Sequence, residues 1–131
     1  MPDRAPMTLF SMTTRAMSAQ MVRMNAATSN LANAGSVSST EEGAYRPIRA
    51  VFATELDRAS GLAGVTTSGL VRAETAPTKR HDPSHPLADK DGFVFEAPVD
   101  ETAEMIEIME SARQYQNLVQ ALQTAKQLML E

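Results

Sequence analysis

Apolar residues recur in alternating steps of three and four at both ends of the chain, and between those ends the pattern breaks up. From Met7 the count runs through Phe10, Thr14, Met17, Met21, Met24, Thr28 and Leu31, a heptad stripe interrupted by two threonines. From Met105 it runs through Ile108, Ala112, Tyr115, Val119, Leu122, Lys126 and Met129, interrupted only at Lys126. This spacing predicts two amphipathic helices of coiled-coil type. Pro98 stops the segment before the second helix, Asp100 is placed to cap it, and Glu101, Glu104 and Glu107 set negative charge at the positive end of its dipole. The first helix should close between Asn33 and Gly35, where Asn or Gly can turn left-handed.

The sequence divides into residues 1–35, 36–98 and 99–131. In the middle part, Tyr45 to Phe52, Val65 to Ala73 and Gly92 to Glu96 gather β-favouring residues between turn signals, which predicts short strands. Pro47 makes the first an edge strand, and residues 36–43 and 76–91 read as exposed loops. The expected fold is therefore α+β: long terminal helices paired as an antiparallel coiled coil, carrying a small, loop-rich β domain. Such a pair would bring Met7 near Met129 and Leu31 near Met105. A single apolar seam follows, formed by Phe10, Met17, Met21, Met24 and Leu31 against Met105, Ile108, Tyr115, Val119 and Leu122.

The faces away from that seam are not dressed for water. Between Met7 and Gly35 the only charged residues are Arg15 and Arg23, and no charge lies between Arg113 and Lys126. Small residues and amides take those places, which suits a helix surrounded by other helices. Asn25, Asn30 and Asn33 on the first helix, with Gln116 and Gln120 on the second, are expected to make polar contacts to neighbouring subunits, where an amide is cheaper to bury than a charge.

Composition adds exclusions. The 131 residues suffice for one modest domain, with nine Met, four Phe, two Tyr and no Trp, so the apolar material is adaptable and suits interfaces as well as cores. A net charge of -4 offers no footprint for nucleic acid. The absence of cysteine excludes disulfides and thiolate metal sites. No run reaches the length of a membrane span, so direct membrane insertion is not expected, and the N-terminus lacks a signal-type apolar region. By the common secretory routes the protein would stay in the cytoplasm.

Candidate chemistry is thin. His81 and His85 stand four apart, but Pro83 and Pro86 break the helix that would aim both rings at one metal, so surface-loop histidines are the simpler reading. The stretch from Asp89 to Phe93 resembles a calcium loop, yet with Gly92 in sixth place the first and twelfth positions fall on Leu87 and Pro98, neither a carboxylate. A β-turn at Asp91-Gly92 is expected instead. Without nucleophile-elbow, phosphate-loop or dinucleotide fingerprints, no enzyme, cofactor or metal is expected. The Met stripe fits core packing, or alternatively a peptide-binding groove in a stand-alone binding module or export-related adaptor. The acidic row Glu101, Glu104, Glu107 and Glu110 is either solvated surface or the face for a basic partner.

The stretch SNLANA at Ser29 to Ala34, near the end of an N-terminal helix, resembles the signature of bacterial flagellar rod and hook axial proteins. YRPIRAVF at Tyr45 to Phe52, HPLADKDGFVFEAPVD at His85 to Asp100, and ARQYQNLVQALQTAKQLML at Ala112 to Leu130 are similar to the proximal-rod branch of that family. The resemblance implies a structural subunit of the proximal rod, exported by the flagellar type III apparatus without a cleaved signal and located in the basal body. It also implies terminal helices packed into an inner tube and a middle domain facing outward. The neighbours it implies are the rod proteins FlgB, FlgF and FlgG, the export-gate adaptor FliE, and further copies of the same chain.

Overall fold

Thr8 starts the first helix by a reciprocal cap. Its Oγ1 accepts from the Ser11 N–H at 3.1 Å, and Ser11 Oγ accepts from the Thr8 N–H at 2.8 Å, so two otherwise orphaned donors are satisfied at once. The computed structural model describes residues 8–130. Within them run α1 (Leu9–Ala32), β1 (Val37–Ser38), β2 (Ile48–Asp57), β3 (Leu62–Arg72), β4 (Thr78–His81), β5 (Phe93–Glu96) and α2 (Glu101–Leu130). The first heptad position, Met7, lies outside the described residues.

The chain is α+β, with long helices at either end and β structure between. Helix α1 closes at Asn33, but not by a left-handed turn: Asn33 has φ −102°, and among the described residues only Gly61, Gly69 and Gly92 have positive φ. Asn33 Nδ2 and its backbone N–H both donate to the Ser29 carbonyl, at 2.9 and 3.1 Å, so the final carbonyls are satisfied without that conformation. Asp100 caps α2 as its position predicts, its Oδ1 accepting from the Ala103 N–H at 3.2 Å.

The helices pack antiparallel. Arg23, past the middle of α1, pairs with Glu107 in the second turn of α2, and Leu9 shares a groove with Ala121 and Ala125 at one end. Fourteen residues separate Leu9 from Arg23, and fourteen separate Glu107 from Ala121; at about 1.5 Å per residue each span is about 21 Å. That register sets Leu31 beside the start of α2 rather than beside Met105. The heptad count fixes which residues share a face; it does not fix the sliding of one helix along the other, which the ion pairs decide.

Strands β2 and β3 form an antiparallel hairpin that lies lengthwise on α1. Asn30 binds the backbone of Ile48, and Arg15 donates to Glu55 at 2.8 Å. Seven strand residues at about 3.3 Å and fifteen helix residues at about 1.5 Å both cover about 23 Å, so the two elements stay in step. The hairpin is longer than its β-favouring core predicts, because ATELD after Phe52 is held by pairing to β3 and by the helix rather than by intrinsic preference. Gly61, at φ 73°, closes the turn with its N–H on the Asp57 carbonyl at 2.8 Å.

Helix α1 is thus covered on two sides by its own chain, which corrects the expectation that its uncharged back must await other subunits. Its buried residues are Thr13, Ala19, Ala26, Ala27 and Asn30, all small or amide, and Ser111 is buried on α2. Small side chains let helix and hairpin backbones approach closely. A second sheet has the order β1-β5-β4, with Val94 fully buried at its centre. Two stretches read as loops, 36–43 and 76–91, therefore each supply a short strand, recruited by the strongly apolar β5 between them.

Ala27 has no exposed surface, so Ala27→Leu should cost about 1–3 kcal/mol through overpacking. The exposed Ala32→Leu should stay within about 0.5 kcal/mol of the parent. Urea unfolding of the two variants checks both.

Candidate assembly site

Asn30 sits where helix, hairpin and loop meet, and it is fully buried. Its Oδ1 accepts from the Ile48 N–H and from the Tyr45 hydroxyl, both at 2.8 Å, and its Nδ2 donates to the Ile48 carbonyl at 2.9 Å. The carboxamide thus pairs with both backbone groups of one residue, as a neighbouring strand would. Tyr45 also lies 3.1 Å from Ser29 Oγ. This corrects the sequence expectation for Asn30: its amide is spent inside the chain and is closed to a neighbouring subunit. Asn33 likewise spends its amide nitrogen on its own helix. Asn25, Gln116 and Gln120 are exposed on the single chain.

Two arginines bind the acidic row on α2. Arg23, on α1, grips Glu107 through both Nε and Nη2, the latter at 3.1 Å. Arg49, on β2, grips Glu104 through Nη1 at 3.0 Å and through Nη2. Glu104 is only 1% exposed, so its charge is matched by a two-pronged guanidinium rather than by water. The hydrogen bond from Arg23 holds the Glu107 carboxyl below its ordinary range against the opposing effect of burial, and the same bond raises Arg23. Glu104 likewise raises Arg49. The basic partners of Glu104 and Glu107 thus come from the same chain. Sequence spacing showed that the carboxylates share a helix face; nothing in it pointed to Arg49, which reaches them only because the hairpin folds back.

The methionine stripe is not the innermost layer. Phe10, Met17, Met24 and Leu31 on α1, with Ile108, Tyr115, Val119 and Leu122 on α2, are each half-buried. Met21 remains 40% exposed and Met105 54%, because the closest packing falls on the alanine face. Beyond them, α2 shows a further apolar surface that the heptad count missed: Ile106 is 61% exposed and Met109 70%. At the far end of α2, Leu128 and Met129 join Leu9, Ala121 and Ala125 around an apolar groove of about 580 Å³. The uncharged stretch from Gln114 to Ala125 runs into this groove.

The two histidines have structural roles. His81 on β4 sets its ring edge-on to Phe93 at 4.9 Å, and His85 Nδ1 accepts from the Leu87 N–H at 3.0 Å. Asp89 Oδ1 accepts from the N–H groups of Asp91 and Phe93, closing the expected turn, in which Gly92 has φ 82°.

Comparison with known proteins places this architecture. Residues 90–131 match the family model described as flagellar basal body rod FlgEFG protein C-terminal. The chain is 33% identical to the flagellar basal-body rod protein FlgC of Salmonella typhimurium strain LT2, over 97% of this chain and 95% of the relative. It is 34% identical to the FlgC of Escherichia coli O6:H1 over the same shares. The FlgC of Agrobacterium fabrum is 32% identical over 83% of this chain and 79% of that protein.

Asn30→Ala leaves the Tyr45 hydroxyl and both groups of Ile48 without their partner and should destabilise by about 1–3 kcal/mol in urea unfolding. Glu107 has a folded pKa below its unfolded value, so its contribution is present above about 4.5 and is lost as pH falls through the folded value. Stability measured from pH 6 to pH 3 should therefore decline less steeply in Glu107→Gln than in the parent.

Proposed function

The chain belongs to the FlgC family of flagellar basal-body rod proteins, and on that premise we propose that it polymerises through its terminal helices into the proximal part of the rod and transmits motor torque. It is a structural subunit of the flagellar basal body. The observation that carries the finer reading is the apolar face of α2, where Met105, Ile106 and Met109 stand in the open on a helix whose other side is already packed. Burial of such area contributes about 25 cal/mol per Å², and heterologous contacts repeated around an axis propagate without closing. Many subunits then add up to a stiff shaft.

In this reading residues 1–35 and 99–131 form the inner tube and 36–98 face outward. The seam from Phe10 to Leu31 and from Met105 to Leu122, half-buried apart from the exposed Met21 and Met105, completes its burial against neighbours. Asn25, Gln116 and Gln120, together with the groove at Leu128 and Met129, meet other helices. The neighbours are further copies of the chain, FlgB, FlgF, FlgG and the adaptor FliE, reached after passage through the type III apparatus. Before docking, ordering the terminal helices costs entropy that is recovered only in the assembly, which suits export in an unfolded state.

Met109→Asp and Ile106→Asp change exposed side chains and should leave the melting temperature of the isolated chain within a few degrees of the parent. In cells, either variant, like Leu31→Asp, should be produced and yet abolish rod assembly and swimming. Normal swimming by both α2 variants would overturn the proposal.

A further inference from the structure

A polar cleft of about 460 Å³ lies away from the helix faces, between the C-terminal end of α1 and the base of the hairpin. Asn33, Ser36, Gly43, Tyr45, Arg46 and Arg72 line it, together with Glu42. Arg15, Arg23, Arg49, Arg80 and Arg113 each lie within ion-pair distance of a carboxylate of the chain. Arg46 and Arg72 make no such pair among the described residues, although the protein as a whole is acidic. Arg58 shares this with them but stands alone at the hairpin turn. Two unmatched guanidinium groups therefore meet at one cleft.

The cleft is built before anything enters it. Arg72 lies over the Tyr45 ring at 5.8 Å from its centroid and donates through Nη1 to the Arg46 carbonyl at 3.1 Å. Tyr45 is itself tied to Asn30, and the Ala73 N–H donates to the Pro47 carbonyl at 2.8 Å, pinning the end of β3 beside Arg46. The opposite rim is a tight loop: Ser38 Oγ accepts from the Thr40 N–H and Thr40 Oγ1 from the Gly43 N–H, at 3.2 and 3.0 Å. A Cβ on Gly43 would come within 2.5 Å of Ser38 Oγ, so a side chain there would have to displace the Ser38 and Thr40 hydroxyls that brace the loop.

We propose that this cleft binds an acidic side chain presented by an extended segment of a neighbouring protein chain, with Arg46 and Arg72 as its two cationic jaws. The arginine fork matches a carboxylate in geometry and in charge, and Arg72 is held in place in advance, so little freedom is lost on binding. A net charge of -4 disfavours long polyanions such as nucleic acid. The competing account is that the two arginines only complement the negative end of the α1 dipole. It explains cations at that place; it does not explain a preformed cleft between them. Which neighbour supplies the segment rests on the proposed assembly, whereas binding of the carboxylate does not.

The test is an amide-resolved NMR titration of the full chain at about 50 mM salt, below physiological screening. The probes are acetyl-Gly-Asp-Glu-Gly-amide, its neutral counterpart acetyl-Gly-Asn-Gln-Gly-amide, and inorganic phosphate. The acidic peptide should give saturable shifts centred on Ser36, Gly43, Arg46 and Arg72, and the neutral peptide and phosphate should bind at least about tenfold more weakly. Arg46→Gln with Arg72→Gln should weaken acidic-peptide binding by at least about tenfold with the chain still folded and its melting temperature within a few degrees of the parent, and the paired lysine variants should fall between. The absence of shifts, equal binding of the neutral peptide or of phosphate, or full binding by the double glutamine variant would each overturn the proposal. Met109→Asp should keep the peptide shifts, so a failure of rod assembly and a failure of the cleft remain distinguishable.

Discussion

The bond on which the rest of the structure depends is the one between the Asn30 carboxamide and the backbone of Ile48. An unpaired amide buried this deeply would cost about 1–3 kcal/mol, so α1 and the start of β2 are held in one relative position or the amide goes unsatisfied. Once Ile48 is fixed, the hairpin has one direction along the helix, and Glu55 arrives at Arg15 because strand and helix rises cover the same distance. Arg49, one residue beyond the fixed point, then stands beside Glu104 on α2. A single amide thus links all three long elements.

The charges act in the same sense. Removing either partner from the Arg49–Glu104 pair would leave a buried carboxylate or a misplaced guanidinium, so the pair works as a register device more than as a source of stability. The Arg23–Glu107 pair, whose carboxylate is more exposed than that of Glu104, repeats it further along α2. Together they decide how far one helix slides along the other, which a repeating stripe of interchangeable methionines leaves open.

With these ties satisfied inside the chain, what remains on the surface is mostly apolar or amide. The α1 face turned to the hairpin is partly covered by the chain itself, whereas α2 keeps Met105, Ile106, Met109 and the Leu128 to Leu130 end in the open. This distribution suits a subunit of a rod, in which one helix serves the internal fold and the other is presented to neighbours. It also separates two kinds of surface on one small chain: an adaptable, methionine-rich helix face, and a polar cleft edged by Arg46 and Arg72.

The sequence by itself determined both helices, the Asp100 cap of α2, the α+β class, the cores of β2, β3 and β5, and the family, because these depend on periodicity, local hydrogen bonding and linear motifs. It also marked Asn30 as out of place on a solvated helix, but assigned its amide to another subunit. Tertiary structure alone decided that the amide turns inward, that alanines rather than methionines lie deepest, and that Glu104 meets Arg49. The physical reason is that these outcomes depend on a hairpin folding back over residues 18 to 40 positions earlier in the chain. A pattern read along one element records which side is apolar, but not which neighbour arrives to cover it.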